Sequence, residues 1–287
     1  MEYVILDLEF NGVYSNKLNG YFNEIIDIGA VKVDENMRII DEFSVLIKPM
    51  LSQKINKHVE NLTKLTAEEL QSNGIPFIEA IKLFKEFLLD STLVTWSDSD
   101  IKVIFENYKY FLGKDGILFI KSFLDLQKYC EKVMSIDTAL NNRLSLSCAL
   151  KLLGINSNED KEHQALYDSI LAYKCFDRLY DKELVDSFTK KCIYPEFYDR
   201  INFKNSLILD LNKINIDISN IDFYCETCKV KAKPLSSLKR KSKSFCADFQ
   251  CPICHEKFRG KLKFVKTYDG VKVNKSQSKL DEEADKE

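Results

Sequence analysis

The apolar positions fall first into strand-like runs and then into helical stripes. Residues 3–10 (YVILDLEF), 24–33 (EIIDIGAVKV) and 37–47 (MRIIDEFSVLI) are dense in apolar and β-branched residues, and Asp34-Glu35-Asn36 supplies a turn between the last two. Three strands at this spacing predict an antiparallel meander. Thr66-Ala67-Glu68-Glu69 has the capping-box pattern, and Pro76 opens a helix with Phe77, Ile81, Phe84 and Leu88 on one face. A short strand is expected at Leu93–Trp96, a helix from about Asp100 to Leu112, and a strand at 116–120. Helices are expected at 145–153 and 164–180, the latter with Ile170, Tyr173, Phe176 and Leu179 as its apolar stripe. Strands followed by alternating strands and helices predict an α/β (α+β) class, with a mixed five-stranded sheet flanked by helices.

Charge divides the chain further. Residues 1–221 hold 26 Lys and Arg against 34 Asp and Glu, whereas residues 222–275 hold 14 against 5, so a small basic module follows an acidic body. A basic block is the electrostatic footprint of a polyanion partner, although a solvated lysine-rich surface gives the same composition. The expected organisation is a main domain over 1–185, a weakly patterned connector over 186–221, a Cys-rich basic domain over 222–270 and a disordered charged tail over 271–287. No apolar run approaches the roughly 20 residues of a membrane span. The start, Met1-Glu2-Tyr3-Val4, lacks a basic segment before an apolar one, and the chain carries 9 cysteines, an odd number. The expectation is therefore a cytoplasmic protein with reduced thiols and no membrane association. Its oligomeric state is not legible.

Three acidic segments carry candidate chemistry. Period two puts Asp7 and Glu9 on one face of the first strand, where two adjacent carboxylates repel unless a cation lies between them. Hard divalent ions such as Mg2+ take such oxygen ligands, and an edge strand with a wet face is the plainer alternative. Thr95-Trp96-Ser97-Asp98-Ser99-Asp100 places acids at a helix start, where Asp also serves as an ordinary cap. His163 lies five residues before Asp168. On one helix the two side chains would diverge by roughly 140°, so they converge only with His163 on the preceding loop and Asp168 on the first turns.

In order, D-x-E on a first strand, W-S-x-x-D after a later strand and H-x-x-x-x-D near the end resemble the three motifs of the DEDDh (DnaQ-like, RNase T-like) 3'-to-5' exonuclease superfamily. The resemblance spans about residues 1–180. Asn23–Ala30, Leu62-Thr63-Lys64-Leu65-Thr66 and Leu146–Gly154 are similar to further family segments. Asp7-Leu8-Glu9-Phe10 with the Trp96 motif looks closest to the branch of histone-mRNA and small-RNA exonucleases and KapD-like proteins.

The resemblance implies an RNase H-like fold and two Mg2+ or Mn2+ ions held by Asp7, Glu9, Asp100 and Asp168, with Asp98 as the fallback for Asp100. His163 would be the general base, a role suited to a side chain that ordinarily titrates near neutrality. Phe10 would stack on the terminal base or pack in the core, and Leu65 would contact the 3' nucleotide. Lys64 departs from the glycine usual in that loop. The implied reaction is hydrolysis of single-stranded RNA or DNA from a 3' hydroxyl end to nucleoside 5'-monophosphates, with RNA favoured on the branch resemblance. A binding scaffold that keeps the nuclease fold and a DNA proofreading exonuclease are the alternatives. The scaffold would be expected to lack one of the five residues, and none is missing.

Cys225-Glu226-Thr227-Cys228 and Cys251-Pro252-Ile253-Cys254 have the pattern of a four-thiolate structural Zn2+ site, and the segment resembles a zinc ribbon. Cys246 and His255 are possible substitute ligands. A unit of this size has too little core to fold readily without such a staple. Lys239, Arg240 and Lys241 lead a set of basic residues interleaved with Phe245, Phe249, Phe258 and Phe264. Such a mixture suits single-stranded nucleic acid, or the phenylalanines form the ribbon's core while the lysines face out. A ribbon can also dock on a protein partner.

Overall fold

The computed structural model describes residues 2–136, 143–158, 163–213 and 221–280. The chain divides into two compact units, Met1–Ile201 and Asn202–Glu287.

In the first unit, β1 (Tyr3–Ser15), β2 (Gly20–Val33) and β3 (Ile39–Leu46) form the antiparallel meander. The strand β4 (Thr92–Thr95) pairs parallel with β1, and β5 (Ser122–Asp125) parallel with β4. A two-residue β6 (Lys190–Lys191) adds antiparallel to β5, giving the order β3-β2-β1-β4-β5-β6. This is the expected mixed sheet of five strands with a short sixth at its edge.

Helices α1 (Lys57–Thr63), α2 (Ala67–Asn73) and α3 (Phe77–Leu88) lie between β3 and β4, and α4 (Asp98–Leu112) follows β4. Thr66 caps α2 as expected, its Oγ1 accepting from Glu69 N at 3.1 Å. After β5 come α5 (Leu126–Val133), α6 (Leu146–Leu153), α7 (Ala165–Leu179), α8 (Lys182–Phe188) and α9 (Pro195–Asn202).

Alternation along β1 assigns its side chains to two layers. Val4, Leu6 and Leu8 pack with Phe77, Ile81, Phe84 and Leu88 of α3 and with Ile101, Ile104 and Phe105 of α4. Tyr3 and Ile5 pack on the opposite face with Tyr129 of α5, Leu150 of α6, and Leu171 and Phe176 of α7. Each such fully buried side chain contributes about 1.5–3 kcal/mol. Asp7 and Glu9 continue the second face, so they point to the side covered by α7.

The structure differs from the sequence expectation in three places. Residues 116–120 are a turn, closed by Ile120 N donating to Ile117 O at 2.9 Å, and the fifth strand is Ser122–Asp125. Ile117 and Ile120 are buried at a spacing of three, a turn spacing that a short apolar run cannot distinguish from a strand. The connector expected over 186–221 is largely structured: β6 joins the first sheet, and Phe197, Tyr198 and Ile201 of α9 pack on the first unit's core. Residues 214–220 lie outside the described residues.

The third difference is in the second unit. Its sheet runs β12-β11-β10-β8, from β8 (Lys233–Pro234), β10 (Ser244–Gln250), β11 (Lys257–Thr267) and β12 (Gly270–Lys279). Strands β7 (Ser206–Ile208) and β9 (Lys239–Lys241) pair with β11 and β10. The tail expected to be disordered from 271 is thus a strand through Lys279, and residues 281–287 lie outside the described residues. Its polar sequence conceals an inner side. Lys275 Nζ sits 4.6 Å from the Phe223 ring centroid, and Gln277 Nε2 donates to Tyr224 O at 3.1 Å, so long polar side chains cover the core there.

Candidate active site

The carboxylates converge because β1, α4 and α7 all direct acids to one place. Glu9 lies directly opposite Asp27 in the β1–β2 register, and the register shifts just beyond, between Glu9 and Phe10. Such a bulge re-aims side chains beside a site. Ser97 caps α4 by accepting from Ser99 N at 3.2 Å, and Asp100 in the first turn is 7% exposed. Gln164 is the N-cap of α7, so Asp168 sits in its first turn and His163 on the loop before it. This is the arrangement that the five-residue spacing required. His163 turns the chain with a left-handed φ of 64°, and its backbone N donates to Asp168 Oδ2 at 3.0 Å.

The structure brings the predicted residues together. One ligand atom each from Glu9, His163 and Asp168 lies within 4.8 Å of the other two. Burial and then the charges of Asp100, Asp168, Glu9 and Asp27 push the Asp7 carboxyl well up. Burial, Asp168, Asp27 and Asp100 raise Glu9 to about 8. Asp100 rises to about 7, through burial and then the neighbouring Asp98. No lysine or arginine pairs with Asp7, Glu9, Asp27 or Asp100 among the described residues. Mutually repelling carboxylates, half-buried at Asp7 and Glu9 and buried at Asp27 and Asp100, without a Lys or Arg counter-charge among the described residues, are the donor set that hard divalent cations fit.

Asp98 is occupied elsewhere. Its carboxylate pairs with Lys128 at 3.4 Å, and Lys128 is also held by Asp125. Trp96 is half-buried against the α5–α7 layer, and its indole N–H donates to Leu144 O at 3.2 Å. Phe10 is half-buried against the core below α3 and α4, and Leu65 packs beside Ile26, Ile55 and Leu70.

Sequence reasoning assigned no role to Asp27, which is 7% exposed. Its Oδ2 accepts from Ala165 N, the first residue of α7, at 3.4 Å, while its Oδ1 is buried without a partner. Burial raises it to about 6 against the N–H groups of Ala165 and Ile28. A single acid inside Ile25-Ile26-Asp27-Ile28 was the available signal, because an ionisable side chain rarely sits in a buried strand without a task. Asn11 and Glu24, also opposite each other, were missed too. Glu24 accepts from Leu51 N at 3.0 Å, and Asn11 bonds Lys54 O at 3.1 Å and Asn56 N at 2.9 Å. Together they tie down the segment leading into α1.

In the second unit, the Sγ atoms of Cys225, Cys228, Cys251 and Cys254 all lie within 4.8 Å of one another. Both knuckles have the same form. Lys229 N donates to Cys225 O and His255 N to Cys251 O, with left-handed φ of 56° and 62° at these two residues. Burial raises the Cys251 thiol, but the N–H groups of Cys254 and Ile253 outweigh it and bring it down to about 7. Four converging sulfurs with N–H groups aimed at them fit a tetrahedral zinc ion. The possible substitutes stay outside this group of four: Cys246 lies on β10 opposite Lys261, and His255 is exposed.

A mixed sheet between helices, with an acid-rich site where β1, α4 and α7 meet, defines a nuclease fold of the DEDDh 3'-to-5' exonuclease kind. The chain belongs to the Exonuclease family, whose profile matches residues 4–176. It is 30% identical over 181 residues to a "DNA polymerase III PolC-type" from Ureaplasma parvum, a match covering 61% of this chain and 11% of the polymerase. It is 29% identical over 187 residues to "Probable 3'-5' exonuclease KapD" of Bacillus subtilis, covering 60% of this chain and 82% of KapD. Among solved structures, the nuclease domain of 3'hExo, "a DEDDh family member, bound to rAMP", superposes with a TM-score of 0.52 at 18% identity. That match covers 62% of this chain and 90% of the other. A 3'-exonuclease solved as "3'-end specific recognition of histone mRNA stem-loop" gives 0.53 at 18% identity, covering 62% and 80%. No described helix is long and apolar enough to cross a membrane.

Proposed function

We propose that this protein is a two-metal-ion 3'-to-5' exonuclease that shortens single-stranded nucleic acid, RNA in preference to DNA, from a 3' hydroxyl end. The observation that carries the reading is the cluster of Asp7, Glu9, Asp100 and Asp168 beside His163, without a counter-charge on Asp7, Glu9 or Asp100 among the described residues. The four carboxylates would hold two Mg2+ or Mn2+ ions, which when bound activate water and neutralise charge on the leaving oxygen. His163 accepts the proton of the attacking water, and its exposed position before α7 leaves the imidazole open to solvent and substrate. Asp98 is committed to Lys128, which favours Asp100 as the ligand. Leu65, on the loop after α1 where its backbone N donates to Thr63 Oγ1, contacts the 3' nucleotide. Phe10 is assigned to packing, with base stacking as its alternative. The four cysteines hold one structural Zn2+.

The preference for RNA draws on the Asp7-Leu8-Glu9-Phe10 and Trp96 motifs. A second reading, a DNA exonuclease, is favoured by the 30% identity to the PolC-type polymerase. One experiment tests both: 5'-labelled RNA and DNA oligonucleotides of matched sequence with 3' hydroxyl ends, incubated with Mg2+, with Mn2+, and without either. A ladder shortening from the 3' end only when metal is present is expected, faster on RNA. Faster DNA shortening would transfer the reading to DNA, and cleavage of neither, with binding retained, would replace it with a recognition module.

A further inference from the structure

Alternation along the C-terminal sheet separates its two faces by chemistry. Phe245, Ala247 and Phe249 of β10 and Phe258, Leu262 and Phe264 of β11 turn inward and are buried. The intervening residues turn outward, and on β11 these include Lys257, Lys261 and Lys263, all exposed. The register extends the pattern sideways. Lys261 is opposite Cys246 of β10, and Cys246 is opposite Lys239 of β9. Lys241 is opposite Ser244, and Lys272 of β12 opposite Val265, on the same outward face. Asp248 is the one carboxylate on this face of β9 to β12 among the described residues, and Arg259 holds it at 2.8 and 3.3 Å. The run Lys239-Arg240-Lys241, a single basic cluster in sequence, is split: Arg240 is opposite the inward Phe245 and belongs to the other side.

We propose that this outward face is a docking track for the phosphodiester backbone of a single-stranded polynucleotide, held by charge without base stacking. Three features argue for that occupant. The face carries Lys239, Lys241, Lys257, Lys261, Lys263 and Lys272 against the one carboxylate that Arg259 already neutralises, so it complements a polyanion. Outward side chains along β11 repeat every two residues, about 6.6–6.8 Å, which is the scale of one nucleotide in an extended strand. The phenylalanines of β10 and β11 are inside, so among the described residues β9 to β12 offer no aromatic platform to a base on this face. The proposal rests on the nuclease reading only for choosing nucleic acid over another polyanion.

The test uses the full chain carrying Asp7→Asn, so that probes are not shortened. Binding is measured against a labelled oligouridine and an abasic phosphodiester of equal length over a range of salt. The triple variant Lys257→Gln, Lys261→Gln, Lys263→Gln should weaken binding at least tenfold at low salt. It should also reduce the slope of log Kd against log salt by about 2, at ~0.7 per phosphate contact on a single strand. The abasic probe should bind within about threefold of oligouridine, because each stacked base would add about 1–3 kcal/mol. An unchanged slope in the triple variant, or loss of binding to the abasic probe, overturns the proposal. Unchanged zinc content and melting temperature establish that the triple variant is folded. Because no turnover is required, failure of the exonuclease reading leaves this test intact. If the reading holds, the triple variant with Asp7 restored hydrolyses dinucleotides at the unmodified rate.

Discussion

Asp7 and Gly29 face each other across β1 and β2, and a Cβ at Gly29 would lie 1.9 Å from Leu166 N. The start of α7 therefore rests directly on the strand beside the acidic site. That close approach is what lets an acid from α7, Asp168, reach one from β1, Glu9.

Gly29→Ala should consequently destabilise the first unit by about 1–3 kcal/mol, since backbone rather than a movable side chain is in the way. The accompanying activity loss should exceed that of an Ala substitution at Gly12, where the nearest atom to a new Cβ is 3.7 Å away. Thermal unfolding and steady-state rates on both variants check this.

Asp27 positions the same helix from beneath by accepting from Ala165 N. Asp27→Ala should lower kcat about tenfold or more with KM little changed, because a displaced His163 or Asp168 impairs the chemical step more than binding. Asp27→Asn keeps an acceptor oxygen for Ala165 N and should recover part of the rate. Equal kcat in both variants and the unmodified protein would remove Asp27 from the site.

The two acids of the second motif should separate cleanly. Asp100→Ala is expected to cost about a hundredfold or more, the scale of losing a group that stabilises charge in the transition state. Asp98→Ala, which breaks a half-exposed pair with Lys128, should change the rate only a few fold. Single-turnover kinetics on a short oligonucleotide decide between them.

Stability without added Mg2+ or Mn2+ should fall as pH rises. Asp27, Asp100 and Glu9 titrate at about 6, 7 and 8 in the folded chain. Unfolded Asp and Glu lose their protons near ~4. Between these values the folded state holds more protons than the unfolded one, so each unit of pH weakens it, and the part of the loss that comes from these three groups is complete above about pH 8. Adding Mg2+ or Mn2+ should restore the melting temperature most at the alkaline end. A melting temperature independent of both pH and metal would contradict the mutual repulsion assigned to this cluster.

The four thiols predict one zinc per chain. Cys225→Ser or Cys251→Ser should release it and unfold the second unit, seen as a lost transition in calorimetry and as zinc in the filtrate. Cys246→Ser should leave the metal content unchanged, since Cys246 is outside the group of four.

Much of the site was legible because its signals are local. The period-two spacing of Asp7 and Glu9, the place of Asp100 at a helix start and the loop required at His163 ahead of Asp168 each follow from the geometry of one element. The CxxC pairs are local in the same way, each closing its own knuckle. The expected strand at 116–120 failed because a short buried run has no period long enough to separate a strand from a turn. The tail beyond 271 was misread because Lys275 and Gln277 reach inward positions with long side chains, which composition scores as solvent.

Sequence alone indicated the β1–β3 meander, β4 and helices α3, α4, α6 and α7, the residues proposed to hold metal and the existence of a basic cysteine module. Tertiary structure decided which acids meet. Asp27 entered the site through the β1–β2 register, and Asp98 left it through Lys128. It also decided which lysines share a face, separating Arg240 from Lys239 and Lys241. Pairing between strands is a non-local choice. It depends on burial and hydrogen bonding summed over the whole sheet, and no window of sequence contains that sum.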